Sequence, residues 1–363
     1  MAFNKCLYGL KQSAREWYAK LSSSLLQRGF QTSTFDPFVF IHHRENIFIS
    51  IYVDDLALFA APSTNLELLI TDLSSEFDLT DLGTANWLLG LHITYTPTGI
   101  TLSQLAYIEK VLKRFNMDSS RPVSTPLTKG LQLRKGLLEQ QIDDPSYYQS
   151  IIGSLMYAVT GTRPDLAHTI SLLSQFNSCP NETHLKAAKH VLRYLNGTKD
   201  WTLFYPSNEQ LYLEGFADAD FATCLDTRRS ISGYIFRLGR ATISWRSRKQ
   251  VIVTTSTTES EYIALSLACR QLLWIQKAFA DFKMPIPCAL RCDNTGAIAI
   301  TENDQVNDRT KHIATHYHKV REEYRKGTFD LIYVPSDQNL ADICTKTLPQ
   351  PTHDKLARLI RCA

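Results

Sequence analysis

The sequence predicts a multidomain chain of mixed α+β and α/β type, on three observations. Hydrophobic residues make up 44% of 363, enough to bury more than one core. A stretch from about 118 to 146 carries Pro122, Pro126, Gly130, Gly136 and Pro145 with mixed charges between them, the composition of a linker. From Leu211 onward, strand-like and helix-like segments alternate to the end, the pattern of an α/β domain on a mixed sheet. The expected division is 1–117, 118–205 and 206–363.

The elements follow in order. After Cys6-Leu7-Tyr8-Gly9-Leu10-Lys11-Gln12, a helical stripe holds Trp17, Leu21, Leu25 and Leu26. Phe38 to His42 and Ile47 to Val53 read as a hairpin around the polar turn Arg44–Asn46. The second run ends in Tyr52-Val53-Asp54-Asp55 and resumes as Leu56–Phe59. Helical signals return over Asn65–Phe77. A hairpin with its turn at Pro97–Gly99 comes next, then a helix through Tyr107–Phe115. A helical block fills roughly 147–197, with Ile151, Leu155, Ala158 and Val159, then Leu185, Ala188, Val191, Leu192 and Leu195, at helical spacing.

Composition excludes several classes. The net charge of +3 does not by itself require a nucleic-acid partner, although binders are often basic only in a patch. No apolar run of about 18 residues is present to span a bilayer, and no N-terminal stretch reads as a cleaved signal. The eight cysteines are scattered. Cys288 and Cys292 form the one close pair, with no second pair or His pair to complete a zinc-ligand spacing. We therefore expect an intracellular chain, cytoplasmic or nuclear, with reduced thiols, no zinc and no membrane partner.

Acidic residues recur in the C-terminal segment where strands end and helices begin. Asp218 and Asp220 close an extended run and share a face if the strand continues. Glu261 heads a helix with Ala264, Leu265, Ala268 and Leu272 behind it. Glu259 lies about 200° away around that helix, so Glu259 and Glu261 cannot enter one site together. Asp293 ends an apolar run, and Asp342 follows the strand Leu331–Val334 and a turn. Singly, such acids often cap helices or suit their dipoles. In this order of strand, helix, strand and helix they suggest one site.

Residues 211–348 resemble the ribonuclease H domain of Ty1/copia-type retrotransposons. The resemblance rests on Ala217-Asp218-Ala219-Asp220, Arg228-Arg229-Ser230-Ile231-Ser232-Gly233-Tyr234, Ser244-Trp245 with Lys249-Gln250, and Ser256-Thr257-Thr258-Glu259-Ser260-Glu261-Tyr262. Further matches are Cys292-Asp293-Asn294, Arg309-Thr310-Lys311-His312-Ile313 with Tyr317-His318, Val334-Pro335, and Leu340-Ala341-Asp342-Ile343. It implies a five-stranded mixed sheet flanked by helices, and a catalytic, metal-binding quartet of Asp218, Glu261, Asp293 and Asp342. Family pattern favours Glu261 over Glu259, and Asp218 over Asp220 two residues after the aromatic Phe216.

Two carboxylates about 4 Å apart repel by roughly 4 kcal/mol at an effective dielectric near 20. Hard divalent ions offset that repulsion and suit oxygen ligands, which points to Mg²⁺ or Mn²⁺. The resemblance implies two such ions and endonucleolytic cleavage of the RNA strand of an RNA–DNA hybrid. Many relatives carry a His in the loop before the last acid; here Pro335-Ser336-Asp337-Gln338-Asn339 has none. His312, His316 and His318 are expected on a helix face, without a catalytic role. Between residues 226 and 250, Arg228, Arg229, Arg237, Arg240, Arg246, Arg248 and Lys249 face the single acid Asp226. Part of this set is expected to line up as a basic strip for phosphates.

Tyr52-Val53-Asp54-Asp55 resembles the metal-binding turn of reverse transcriptases. Leu7-Tyr8-Gly9-Leu10-Lys11-Gln12, Trp17-Tyr18 and Leu88-Leu89-Gly90-Leu91 extend the likeness to the same polyprotein, from palm to thumb. It implies metal ligation by Asp54 and Asp55 and nucleic-acid contact at Lys11 and Gln12. Family members carry a third Asp upstream of the Tyr-Gly-Leu-Lys-Gln run, and this chain starts shortly before that run. The resulting expectation is a truncated palm and thumb, a helical connection, and a ribonuclease H-like domain. The alternatives are an inactive remnant that at most binds nucleic acid, or an active reverse transcriptase whose missing Asp comes from a partner.

Overall fold

A computed structural model describes residues 12–136, 142–303 and 315–362. Lys11 and the run Arg309–Ile313, with His312, lie outside the described residues. The chain falls into two compact units, Met1–Leu88 with Leu273–Pro285, and Leu89–Leu272 with Ile286–Ala363. Both expected internal boundaries, near 117 and near 205, fall within the second unit. No described helix is long and apolar enough to cross a membrane.

The first unit pairs helix with sheet. Helix α1 (Ser13–Gln27) buries Leu21 and Leu25, four residues apart on one face. Leu26 is 50% exposed, because one step beyond Leu25 turns it about 100° off that face; it does not belong to the stripe. Strands β1 (Gln31–Thr32), β2 (Val39–His42), β3 (Ile47–Tyr52) and β4 (Asp55–Phe59) form an antiparallel sheet in chain order. Inward-facing Ile47, Ile49 and Ile51 alternate along β3 and join Leu21, Leu25 and Phe40 in one core. Helix α2 (Leu66–Ser74) is capped by Asn65, whose side chain accepts from the Glu67 amide, and adds Leu73 to that core. A short strand β5 (Trp87–Leu88) follows.

The second unit opens with the hairpin β6 (Leu91–Thr96) and β7 (Gly99–Ser103). Helices α3 (Leu105–Arg114), α4 (Ser146–Gly161), α5 (Ala167–Ser174) and α6 (Glu182–Gly197) come next. Strand β8 (Thr202–Pro206) pairs antiparallel with β7. The sequence pattern predicts no strand here, since the expected helical block ends near 197 and strand-like segments begin at Leu211. Five residues with their partner strand about a hundred positions upstream leave almost no local signal.

The five-stranded sheet comprises β9 (Leu213–Asp220), β10 (Ile231–Leu238), β11 (Ala241–Lys249), β12 (Cys288–Cys292) and β13 (Asp330–Tyr333). Its order is β11-β10-β9-β12-β13, antiparallel across the first three and parallel from β9 to β13. Helix α7 (Thr257–Asp281) makes the crossover that a parallel neighbour requires. Helices α8 (Thr295–Glu302), α9 (Lys319–Arg325) and α10 (Gln350–Arg361) complete the fold. Both faces of β9 and β10 are covered, so their residues are buried almost without alternation. Phe216 and Ile235 join the core built by α3 to α6 and α10. Tyr234 points the other way and donates to Gln271 of α7 at 3.1 Å.

The helical block is therefore integral to the sheet's core. Trp245 of β11 donates its indole N–H to Val159 O of α4 at 2.9 Å. At the centre of the block Arg163 is fully buried, gripping Asp165 through Nε and Nη2 at 2.9 and 2.7 Å and Thr198 O at 3.1 Å. Tyr194 donates to the same carboxylate at 2.7 Å. Removing one partner of such a pair strands the other charge away from water. Asp165→Ala is expected to cost about 3–5 kcal/mol, read as a shift in the urea midpoint at unchanged slope.

Candidate metal centre

Four separate elements each bring one carboxylate to the same end of the five-stranded sheet. Asp218 lies in β9 and is fully buried. Asp293 follows β12 directly, and Asn294 fixes the turn by accepting from the Ala297 amide at 2.9 Å to cap α8. Glu261 sits in the second turn of α7, with Ala264, Leu265 and Ala268 wholly buried behind it. Asp342 belongs to the 3₁₀ turn Leu340–Cys344. Asn339 ties that turn to the sheet, donating to Ala217 O at 2.9 Å and accepting from the Ala341 amide at 3.1 Å.

Gly233 makes the approach of this turn possible. It lies opposite Asp218 in the β9–β10 register. A Cβ there would meet Thr345 Cγ2 at 2.7 Å and Cys344 Cβ at 2.8 Å. Without it, Thr345 Oγ1 reaches Asp218 Oδ2. Lys346 Nζ then sits 3.1 Å from Asp218 Oδ1 and 2.7 Å from Asp342 Oδ1. Neither Thr345 nor Lys346 was picked out from the sequence. The available signal was the spacing of Asp342 and Lys346, four residues apart, which brings side chains together on a helical turn.

Carboxylate oxygens of Asp218, Asp293 and Asp342 lie within 4.8 Å of one another. Glu261 and Asp293 form a second such group with Cys292 Sγ. Asp220 is in neither group; it closes β9 opposite Ile231, and burial pushes its carboxyl up to about 6. Glu259 turns back to its own helix start, where its Oε2 accepts from the Thr255 amide at 2.6 Å and hydroxyl at 2.9 Å. Ser256 Oγ in turn accepts from the Glu259 amide at 3.1 Å, so Ser256 caps the helix start while the Glu259 carboxylate ties down the residue before it.

The electrostatics are those of crowded acids in a dry site. Burial, and then Asp218 and Asp293, push the Glu261 carboxyl up to about 10. Burial and Asp218 push Asp342 up to about 7 against the pull of Lys346. Asp218 is raised by burial despite Lys346 and Thr345. Glu261 Oε2 and Asp293 Oδ1 are buried with no hydrogen-bond partner, a costly state for bare carboxylate oxygens. Those oxygens fit a hard divalent cation such as Mg²⁺ or Mn²⁺. The Cys292 thiol does not, since its soft sulfur is a poor donor to such ions.

The remaining expected site residues are distributed as follows. Arg246 and Arg248 are exposed at alternate positions of β11, hence on one face, with Lys249 partly exposed beside Cys224 Sγ at 3.8 Å. Arg228 and Arg229 lie in the β9–β10 loop, Arg228 at a φ of 53°. Arg237 and Arg240 are ion-paired with Glu214 and Glu209 at 2.7 and 2.5 Å and do not extend the strip. His318 ends the 3₁₀ turn Thr315–His318 with Nδ1 2.9 Å from the Tyr262 hydroxyl.

In the first unit, Gln12 precedes α1 without a capping bond. Asp54 and Asp55 are exposed at the tip of the β3–β4 hairpin. Tyr52 pairs with Asp55, so Val53 and Asp54 make the whole turn. Val53 has a φ of 54°, a strained conformation for a β-branched residue. Trp17 holds it there by donating to Val53 O at 2.9 Å. Strain of this kind clusters at functional turns.

A family profile for reverse transcriptase (RNA-dependent DNA polymerase) matches residues 1–129. The chain is 36% identical over 368 residues to the retrovirus-related Pol polyprotein from transposon TNT 1-94 of Nicotiana tabacum, covering 98% of this chain and 28% of that protein. It is 34% identical over 265 residues to a transposon Ty5-1 protein of Saccharomyces cerevisiae, covering 72% of this chain and 85% of that protein. Among solved structures, a foamy viral protease-reverse transcriptase in complex with RNA/DNA hybrid overlaps 96% of this chain and 40% of its own at 13% identity, with a TM-score of 0.49. The chain spans between 24% and 28% of the length of the plant Pol polyproteins it matches.

Proposed function

Because the chain belongs to the Ty1/copia-type retrotransposon Pol family, we propose that its carboxylate cluster is the site of a divalent-metal-dependent ribonuclease that cuts the RNA strand of an RNA–DNA hybrid. The observation that carries this reading is the convergence of Asp218, Glu261, Asp293 and Asp342, with Glu261 Oε2 and Asp293 Oδ1 unpartnered. In functional terms, residues 1–117 are the polymerase-derived segment, 118–205 the connection and 206–363 the ribonuclease.

When bound, divalent ions would activate a water for in-line attack at phosphorus and offset charge on the leaving 3′ oxygen. The chain's own residues do the rest. Asp293 contributes to both carboxylate groups and sets their spacing. Buried Asp218 and the apolar stripe of α7 hold the ligands rigid, so little reorganisation is needed on binding. Arg246 and Arg248 offer guanidinium groups to backbone phosphates along β11, which position the duplex without reading its sequence. In the reverse transcriptase-like first unit, Asp54 and Asp55 are the carboxylates available for a polymerase metal pair.

The two glutamates near the start of α7 provide the test. Glu259→Gln weakens a helix cap worth about 1 kcal/mol and is expected to leave hybrid cleavage near the parent rate. Glu261→Gln removes a metal oxygen and is expected to slow cleavage by about 100-fold. Rates on a labelled hybrid decide between them, and a severe Glu259→Gln beside a mild Glu261→Gln contradicts the assignment.

A further inference from the structure

We propose that Lys346 is a built-in cation occupying one of the two cation positions of the cluster, so that the substrate-free protein takes up a single divalent ion, held by Glu261 and Asp293. This rests on the metal-dependent reading above and refines it. The cluster is asymmetric. At one end both oxygens of Asp218 are engaged within the chain, Oδ1 by Lys346 Nζ at 3.1 Å and Oδ2 by the Thr345 hydroxyl. The same ammonium sits 2.7 Å from Asp342 Oδ1. At the other end Glu261 Oε2 and Asp293 Oδ1 are buried and have no partner.

The ammonium is not on a loose arm. The Lys346 amide donates to Asp342 O at 2.9 Å, continuing the turn that Gly233 admits against β10 and Asn339 anchors to β9. A divalent ion placed among Asp218, Asp293 and Asp342 would lie within a few ångströms of Nζ and repel it. That position accepts a divalent ion only when Lys346 is displaced or removed. Among the described residues no cation pairs directly with Glu261 or Asp293, and the unpartnered oxygens favour uptake there first.

Mn²⁺ is the probe, because its free-ion electron paramagnetic resonance signal disappears on binding. The parent for this titration is the full chain carrying Asp54→Asn and Asp55→Asn, so that the first unit offers no carboxylate pair; without nucleic acid it is expected to give one ion per chain. Lys346→Gln, which keeps a polar side chain but no charge, is expected to give two, whereas Lys346→Arg stays at one. In EDTA the Gln variant is expected to melt below the parent, and saturating Mn²⁺ should raise its Tm by more than it raises the parent's. Should the Gln variant be unfolded without metal, folding on Mn²⁺ addition with two ions bound supports the proposal equally. Two ions on the parent, or one on both the parent and the Gln variant, overturns it. No uptake by either protein overturns the metal-centre reading beneath it.

Discussion

Asp293→Asn is expected to lower hybrid cleavage by about 100-fold or more while leaving hybrid binding intact or tighter. Among the described residues, Asp293 alone contributes to both groups of clustered ligand atoms. Losing its charge therefore weakens both ends of the cluster, and small misplacements of a reacting group already cost about 100-fold. Asn keeps the size and shape of the side chain, so β12 and the Asn294 cap of α8 should be undisturbed. Binding responds in the opposite sense, because one fewer negative charge faces the phosphates. Parallel gel-shift and cleavage measurements separate these effects. Parent-rate cleavage by the variant would contradict the role given to Asp293, and equal losses of binding and cleavage would point to a damaged fold.

The second large effect is on stability. In EDTA, the melting temperature of the chain is expected to fall as pH rises from about 5 toward 10. Glu261, pushed up to about 10 by burial and then by Asp218 and Asp293, keeps its proton in the folded chain where the unfolded chain has lost it. Its contribution is complete below the ordinary value of 4.5 and is lost progressively as pH climbs to the folded value. Asp342, raised to about 7 by burial and Asp218, acts in the same direction over a narrower window. Glu261→Gln removes the larger part of this dependence. The variant should match the parent near pH 5 and melt above it near pH 9. Mg²⁺ should raise the parent's melting temperature at pH 8 by more than the variant's. A metal-free parent that grows more stable across the same range would show that Glu261 is not the crowded, buried acid described above.

Much of this site could be read from sequence because its acids stand at element boundaries with periodic apolar residues behind them. The stripe Ala264, Leu265, Ala268 fixed which side of α7 enters the core, and with it the position of Glu261. Asp218 and Asp220 could not be separated that way, since both lie on one face of a strand. Their difference comes from β10, where glycine opposite Asp218 lets the last turn approach, a three-dimensional fact without a local pattern. Glu259 stands at the end of Ser256-Thr257-Thr258-Glu259, a spacing that marks a helix start and its cap. The buried pair Arg163 and Asp165 was equally hidden. Two charges flanking a proline look like surface loop until Tyr194 and Thr198, about thirty residues later, are brought to them. The continuity of the core across residue 205 also depends on long-range packing, with Phe216 and Ile235 joining a cluster supplied by the preceding helices.

Hybrid cleavage is tested most directly on the full chain, because those helices complete the sheet's core. A uniformly labelled RNA strand is annealed to DNA, to RNA, or left single, and each is incubated with the purified protein in Mg²⁺, Mn²⁺ or EDTA. Internal cuts are expected in the RNA of the hybrid alone, leaving 3′ hydroxyl ends, in the presence of either divalent ion and none in EDTA. Cleavage that persists in EDTA, or a folded chain that leaves the hybrid intact in both metals, would contradict the ribonuclease assignment.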